Sequence, residues 1–147
     1  MKNLSIEIFK QLTDNYSYLI FKENNPSAIV IDPAESRELI IMLKEEKLSL
    51  DYIFITHNHS DHTSGMEGLL KEYPGVKIYS PSNLYSFSVH KILDINKIKT
   101  SINEFEIIST PGHTLDHVVL HDKYNKLLFV GDTLFRLGCG RIFEGSF

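Results

Sequence analysis

Thr56-His57-Asn58-His59-Ser60-Asp61-His62 carries three imidazoles and one carboxylate in a single short segment. Imidazole nitrogen and carboxylate oxygen are ligands for zinc, and also for manganese or iron, and such density is the pattern of a metal site. Two further residues of the same type stand alone in the sequence, His113 after Thr110-Pro111-Gly112 and Asp132 after Gly131. One ion takes three or four protein ligands, so six candidates point to two ions with Asp132 between them. Two ions roughly 3.5–4 Å apart share a water, lower its pKa toward neutrality and polarise a carbonyl or phosphoryl oxygen. The chemistry that this set suits is hydrolysis. The absence of clustered cysteines argues against a structural zinc knuckle.

Other reactive side chains read more plainly. His90 and His121 lie in no motif and read as surface or strand residues. His117 stays open between a hydrogen-bonding partner of a ligand and an ordinary strand-start residue. Asp116 and Tyr85 read as solvated. Cys139 sits between two glycines with no histidine or asparagine motif placed to activate it, so it reads as a small buried residue rather than a nucleophile.

The elements around these residues explain how they could meet. Leu50 to Ile55 is a short apolar, β-branched and aromatic run, hence a buried strand, and the His57 segment begins where it ends. Ser64-Gly65-Met66-Glu67 fits a capping box and predicts a helix over Gly65 to Tyr73. The metal-type segment is therefore a strand-to-helix loop, which can turn several side chains toward one point. His113 follows a strand at Phe105 to Ser109. Asp132 follows the second strand of a hairpin, Val118 to His121 and Leu127 to Val130. Ends of neighbouring strands lie side by side, so all these residues converge at one rim. Upstream, Ser5 to Phe9, Tyr16 to Phe21 and Ala28 to Ile31 predict an antiparallel meander that Asp32-Pro33 stops. Ser36 to Glu46, with Leu39, Ile40 and Leu43 on one face, predicts a helix, and Val76 to Tyr79 a further strand. Between Pro81 and Asn103, Ser, Asn and Lys dilute any periodicity and no definite form follows.

The 147 residues, 42% hydrophobic and 23% charged, suit one globular domain able to bury a core. A net charge of −4 gives no electrostatic reason to expect nucleic acid or an anionic membrane as partner. One cysteine excludes an intramolecular disulfide framework and fits a reducing compartment, so a cytoplasmic location is expected. No N-terminal apolar segment resembles a signal peptide, and no run approaches the ~18 apolar residues of a membrane span.

The motifs Thr56-His57-x-His59-x-Asp61-His62, Pro111-Gly112-His113-Thr114 and Gly131-Asp132-Thr133 together resemble the metallo-β-lactamase-fold superfamily, over most of the chain. Leu12 to Tyr16, Pro111 to His117, Gly131 to Phe135, Gly138 to Arg141 and Phe143 to Gly145 are further similar to glyoxalase II, the hydroxyacylglutathione hydrolase family. The resemblance implies an α+β, four-layer αββα sandwich, with residues 1–147 as one catalytic domain. It implies that His57, His59 and His113 hold one zinc, that Asp61 and His62 hold a second and act in catalysis, and that Asp132 bridges. Iron or manganese could replace zinc. It implies that Arg141 and Phe143 contact glutathione, and that a metal-bound hydroxide cleaves S-D-lactoylglutathione to D-lactate and glutathione. Asn58 departs from a family histidine that is not a ligand. The family pattern continues past Phe147 with the rest of the sandwich, one more histidine ligand and a helical domain. The expectation here is thus a sandwich incomplete at its C-terminal side, a weaker second metal and apolar surface that promotes self-association. Two rivals stand beside hydrolysis. One is a persulfide dioxygenase with a single iron on His57, His113 and Asp132; the other is a metal-binding remnant without turnover. Retention of Phe143-Glu144-Gly145 favours the hydrolase.

Overall fold

The computed structural model describes residues 4–84 and 87–145; Tyr85 and Phe147 lie outside the described residues. The predicted meander is present as β1 (Leu4–Gln11), β2 (Asn15–Lys22) and β3 (Asn25–Ile31), each antiparallel to the next. In β3 every residue from Ser27 to Ile31 is buried, because both faces of the strand are covered. Ala28 and Val30 pack on the helical side, while Ile29 and Ile31 face a second sheet.

Two helical crossovers then extend the sheet. Helix α1 (Arg37–Glu45) leads to β4 (Ser49–Phe54), parallel to β3; α2 (Ser60–Thr63) and α3 (Met66–Glu72) lead to β5 (Lys77–Ser80), parallel to β4; β6 (His90–Lys91) closes the edge. Leu39 and Leu43 of α1 and Met66 and Leu69 of α3 are fully buried on Leu19, Val30, Ile53 and Ile55. Burial of each such side chain is worth about 1.5–3 kcal/mol, which holds these short helices to the sheet. The register slips by one between β3 and β4, where Ala28 pairs with Leu50 but Ile29 with Tyr52. That bulge at Asp51 resets the alternation so that Ile53 and Ile55 face the helices and Phe54 faces the other sheet.

The second sheet has the order β10-β9-β8-β7, all antiparallel, from β7 (Lys97–Lys99), β8 (Glu104–Ser109), β9 (Val118–Asp122) and β10 (Leu127–Phe129). Phe54 reaches across to Phe105 edge-on at 5.1 Å, and Phe105 meets Phe129 at 6.0 Å. With Ile31, Val118 and Leu120 they form the inter-sheet core. A two-stranded ribbon, β11 (Leu134–Phe135) with β12 (Gly138–Cys139), follows. The described residues thus supply helix, sheet and sheet, three of the four layers of an αββα sandwich, so the α+β expectation holds and the sandwich is partial.

Two local differences have physical reasons. The capping box does not form: Gly65 stands at the N-cap of α3 without a side-chain bond, because Ser64 Oγ donates instead to the Ser60 carbonyl and closes α2. Among its described residues, the undefined segment after Pro81 holds only the two-residue β6 and three-residue β7, too short for periodicity to register. Among the described residues no helix is long and apolar enough to cross a membrane.

Candidate metal centre

Parallel β3 and β4 end side by side, and the Asp32 amide donates to the Phe54 carbonyl (3.0 Å). In the antiparallel second sheet the end of β8, the start of β9 and the end of β10 fall on one edge. The Val118 amide joins the two edges by donating to the Thr56 carbonyl (3.0 Å). Asp32, the His57 loop, His113, His117 and Asp132 therefore share one rim. The junction is tight at Gly131. Its φ is +48°, and a Cβ there would lie 2.4 Å from Thr56 Oγ1 and 2.8 Å from His117 Nε2.

Three ring nitrogens meet at the centre. His59 Nδ1 lies 3.1 Å from His57 Nε2 and 3.0 Å from His113 Nε2. Nitrogens bound tetrahedrally to one zinc at about 2.05 Å would be about 3.3 Å apart, so a few tenths of an ångström separate this arrangement from a coordinated one. Hydrogen bonds fix the tautomers. His113 Nδ1 donates to the Arg141 carbonyl (2.8 Å), which leaves its Nε2 lone pair free. His57 Nδ1 faces Thr56 Oγ1 at 3.1 Å, and that hydroxyl donates to Asp32 Oδ2 at 2.6 Å. The hydroxyl proton being committed to Asp32, Thr56 accepts from His57, whose Nε2 lone pair is then free toward His59 and could take a metal. Burial, with the neighbouring His62 and His117, drives the His57 pKa down to about 2, so the ring stays neutral.

A second group, His57, His62 and Asp132, adjoins the first. Asp132 turns Oδ1 toward His62 Nε2 (3.3 Å) and Oδ2 toward His113 Nε2 (3.2 Å), so one carboxylate faces both groups. His62 Nδ1 donates to Asp32 Oδ2 at 3.0 Å. Burial alone would lower the His62 pKa, but hydrogen bonds to Asp132 and Asp32 and their charges outweigh it and raise it to about 10. Burial likewise opposes ionisation of Asp132, yet the His62 contact and the surrounding histidines hold it below its ordinary value. Asp61 stands at the margin: its Oδ2 accepts from the Asn15 amide (2.8 Å) and lies 3.8 Å from His62 Nε2, with the side chain 44% exposed. The structure thus gathers His57, His59, His62, His113 and Asp132 closely and keeps Asp61 beside them.

Sequence reasoning missed Asp32, having taken it only as the residue that stops β3. It is buried at φ +49° and accepts from the Thr56 amide (2.8 Å), the Thr56 hydroxyl and His62 Nδ1. One carboxylate therefore orients both His57, through Thr56, and His62. The signal was available: Asp32 lies just past β3 as His57 lies just past β4. Asn15, which holds Asp61, lies within the Leu12 to Tyr16 resemblance, but nothing in its residue type or spacing tied it to Asp61. His117 resolves as a support. The Asp132 amide donates to its Nε2 (3.1 Å), so Nδ1 carries the proton toward Thr110 and Thr133, each 3.1 Å away, and burial lowers its pKa to about 4.

The remaining candidates sort by exposure. The Phe143 ring is 60% exposed and leans edge-on to His113 (5.0 Å) and His59 (5.9 Å), with the Arg141 guanidinium 5.8 Å above it. Cys139 is exposed, which corrects the buried expectation: both residues of β12 lie on the surface, and a Cβ at Gly138 would meet nothing, while Gly140 turns back against the Asp132 backbone and His113. Asp116 is half-buried rather than solvated and accepts from Ser82 and Thr114, tying down the His113 loop. His90 stacks on Tyr79 in exposed β6, and His121 pairs with Glu106 at 3.6 Å.

With this geometry in place, comparison with known proteins adds lineage. The sequence profile of the Metallo-beta-lactamase superfamily matches residues 12–91 and 87–145. The hydroxyacylglutathione hydrolase of Pseudoalteromonas translucida is 39% identical over 144 residues, covering 97% of this chain and 55% of the relative. That of Klebsiella pneumoniae is 35% identical over 147 residues, covering 99% of this chain and 56% of the relative. The chain spans about half the length of the curated relatives it matches. Among solved structures, BLEG-1 B3 metallo-beta-lactamase superposes with a TM-score of 0.83 at 21% identity, over 97% of this chain and 79% of that one. ETHE1 from Myxococcus xanthus superposes with a TM-score of 0.76 at 27% identity, over 93% of this chain and 61% of that one.

Proposed function

We infer that this chain, which belongs to the metallo-beta-lactamase superfamily, binds zinc at the His57–His59–His113 centre and hydrolyses a glutathione thioester, S-D-lactoylglutathione, to D-lactate and glutathione. The observation that carries this reading is the convergence of three ring nitrogens at 3.0–3.1 Å beside a carboxylate that faces both groups. The likeness to hydroxyacylglutathione hydrolases at 35–39% identity supports the substrate class.

His57, His59 and His113 would hold the first ion, and His62, Asp61 and Asp132 the second. Zinc supplies a water of near-neutral pKa and a Lewis acid for a carbonyl oxygen. The protein does the rest. Asp32 keeps His57 and His62 in the tautomers that offer Nε2, and the Arg141 carbonyl does so for His113. His117 props the Asp132 backbone without carrying charge. Asp61 and His62 line the reacting side. Phe143, exposed and against His113, offers a face for the thiol arm, and the Arg141 guanidinium offers donors for a carboxylate of glutathione. Cleavage adds the elements of water across the C–S bond: the acyl carbon gains oxygen and the sulfur leaves as glutathione.

The test is thiol release from S-D-lactoylglutathione by the purified, zinc-loaded chain. Saturable release that a chelator abolishes is expected. Iron-dependent oxygen uptake on glutathione persulfide without thioester cleavage would assign the dioxygenase chemistry instead. Metal binding without either activity would leave a non-catalytic metal protein.

A further inference from the structure

The metal rim is flanked on two sides. On one stands Phe143, against His113 and His59. On the other is a cleft of about 410 Å³ between the β1–β2 turn and the β11–β12 ribbon, with His62 and Asp132 at its floor. That volume falls within the roughly 300–1,000 Å³ of small-molecule sites and exceeds several-fold what a three-carbon acyl group fills. Tyr16, Tyr18, Leu134 and Phe135 supply apolar and aromatic wall.

Most of the charge in the lining is already engaged. Asp32 is held by Thr56 and His62, Asp61 by Asn15, and Asp132 by His62. Arg136 is the cation of this lining, and it takes part in none of the ion pairs among the described residues. A guanidinium at the mouth of an apolar cleft suits a ligand with a short hydrocarbon stem and a terminal carboxylate, which it can grip through two parallel N–H bonds.

A thioester sends two arms away from its reacting carbon. With the thiol arm on the Phe143 side, the acyl arm enters this cleft. We propose that the cleft is the acyl subsite and that Arg136 selects acyl groups ending in a carboxylate, such as succinyl, over lactoyl. The proposal rests on the thioester reading above and deepens it to a substrate class. Asp14, the other lining charge outside these ion pairs, is exposed at the β1–β2 turn and would instead favour an acyl arm ending in an ammonium group.

Non-hydrolysable thioethers separate these outcomes without turnover. Calorimetric titration of the zinc-loaded chain compares S-(3-carboxypropyl)glutathione, S-butylglutathione and S-(3-aminopropyl)glutathione. The carboxylate analogue should bind about tenfold tighter than the butyl one, as a charge-assisted bond at a partly exposed site implies. Arg136→Gln should cut that preference to under about threefold, and Arg136→Lys should restore part of it. The ratio of kcat/KM for succinyl over lactoyl thioester should fall with it. Such a ratio does not move when a substitution merely loosens the fold. Equal binding of the first two analogues, a preference that survives Arg136→Gln, or a preference for the amine overturns the proposal while the thioester reading stands. Binding of none of the three overturns both.

Discussion

Asp32→Asn is the most informative single change, because it keeps the shape and the backbone while removing the charge. Asn tolerates the left-handed conformation at φ +49° as well as Asp does, so the turn after β3 should survive. Asp32 Oδ1 accepts the Thr56 amide, and an amide oxygen can continue to do so. The Nδ2 group then replaces Oδ2, which now accepts from the Thr56 hydroxyl at 2.6 Å and from His62 Nδ1 at 3.0 Å. Two donors would face a third. Loss of two hydrogen bonds to a buried charge, at about 1.5–3 kcal/mol each, puts the destabilisation at roughly 3–6 kcal/mol. Since His57 and His62 both take their orientation from this carboxylate, zinc affinity should drop about 10–100-fold, the range found when a partner behind a ligand is removed. Urea denaturation of the metal-free chain reads the first number, and competition against a chromophoric chelator reads the second. An unchanged midpoint together with unchanged zinc affinity would refute the assignment of Asp32 as the residue that orients the ligands.

The histidines give the metal-free chain a stability maximum close to pH 6.5. His62, raised to about 10, contributes fully below its ordinary 6.5 and loses that contribution as pH climbs toward 10, whereas His117, lowered to about 4, favours folding above 6.5 and costs stability as pH falls toward 4. Denaturant midpoints that rise steadily from pH 6.5 to 9 would contradict this. Zinc entering beside His62 must displace its Nε2 proton, so titration in buffers of different ionisation enthalpy near pH 7.5 should report release of about one proton per chain. Gly131→Ala meets Thr56 Oγ1 at 2.4 Å and a φ of +48°, which implies a loss of at least about 2 kcal/mol in unfolding free energy; a stabilised variant would show that the junction is looser than drawn.

What could be read from the sequence was what repeats a local rule. The His57 loop announced itself because four ligand-type residues fall in one strand-to-helix loop, and His113 and Asp132 could be added because each follows a β-prone run. The meander, α1 and the β9–β10 hairpin were legible for the same reason, strong periodicity or an apolar run bounded by turns. Asp32 was not, since Asp-Pro reads first as a strand stop and only the parallel pairing of β3 with β4 brings it under Thr56. The pairing of Asn15 with Asp61 joins residues 46 positions apart and depends on where the β1–β2 turn folds over the rim. The exposure of Cys139 comes from the two-stranded β11–β12 ribbon, all four of whose residues are exposed, which composition does not reveal. The capping box failed because Ser64 had a closer acceptor in α2.

If His57, His59 and His113 hold a metal with which this chain cleaves a thioester, titrating zinc into the metal-free chain while following thiol release from S-D-lactoylglutathione shows it. No release is expected at zero zinc, then a rise that saturates with zinc bound to the chain, and loss of both binding and release in His59→Ala. Full zinc occupancy with the thioester decaying only at the rate of the protein-free blank would contradict it.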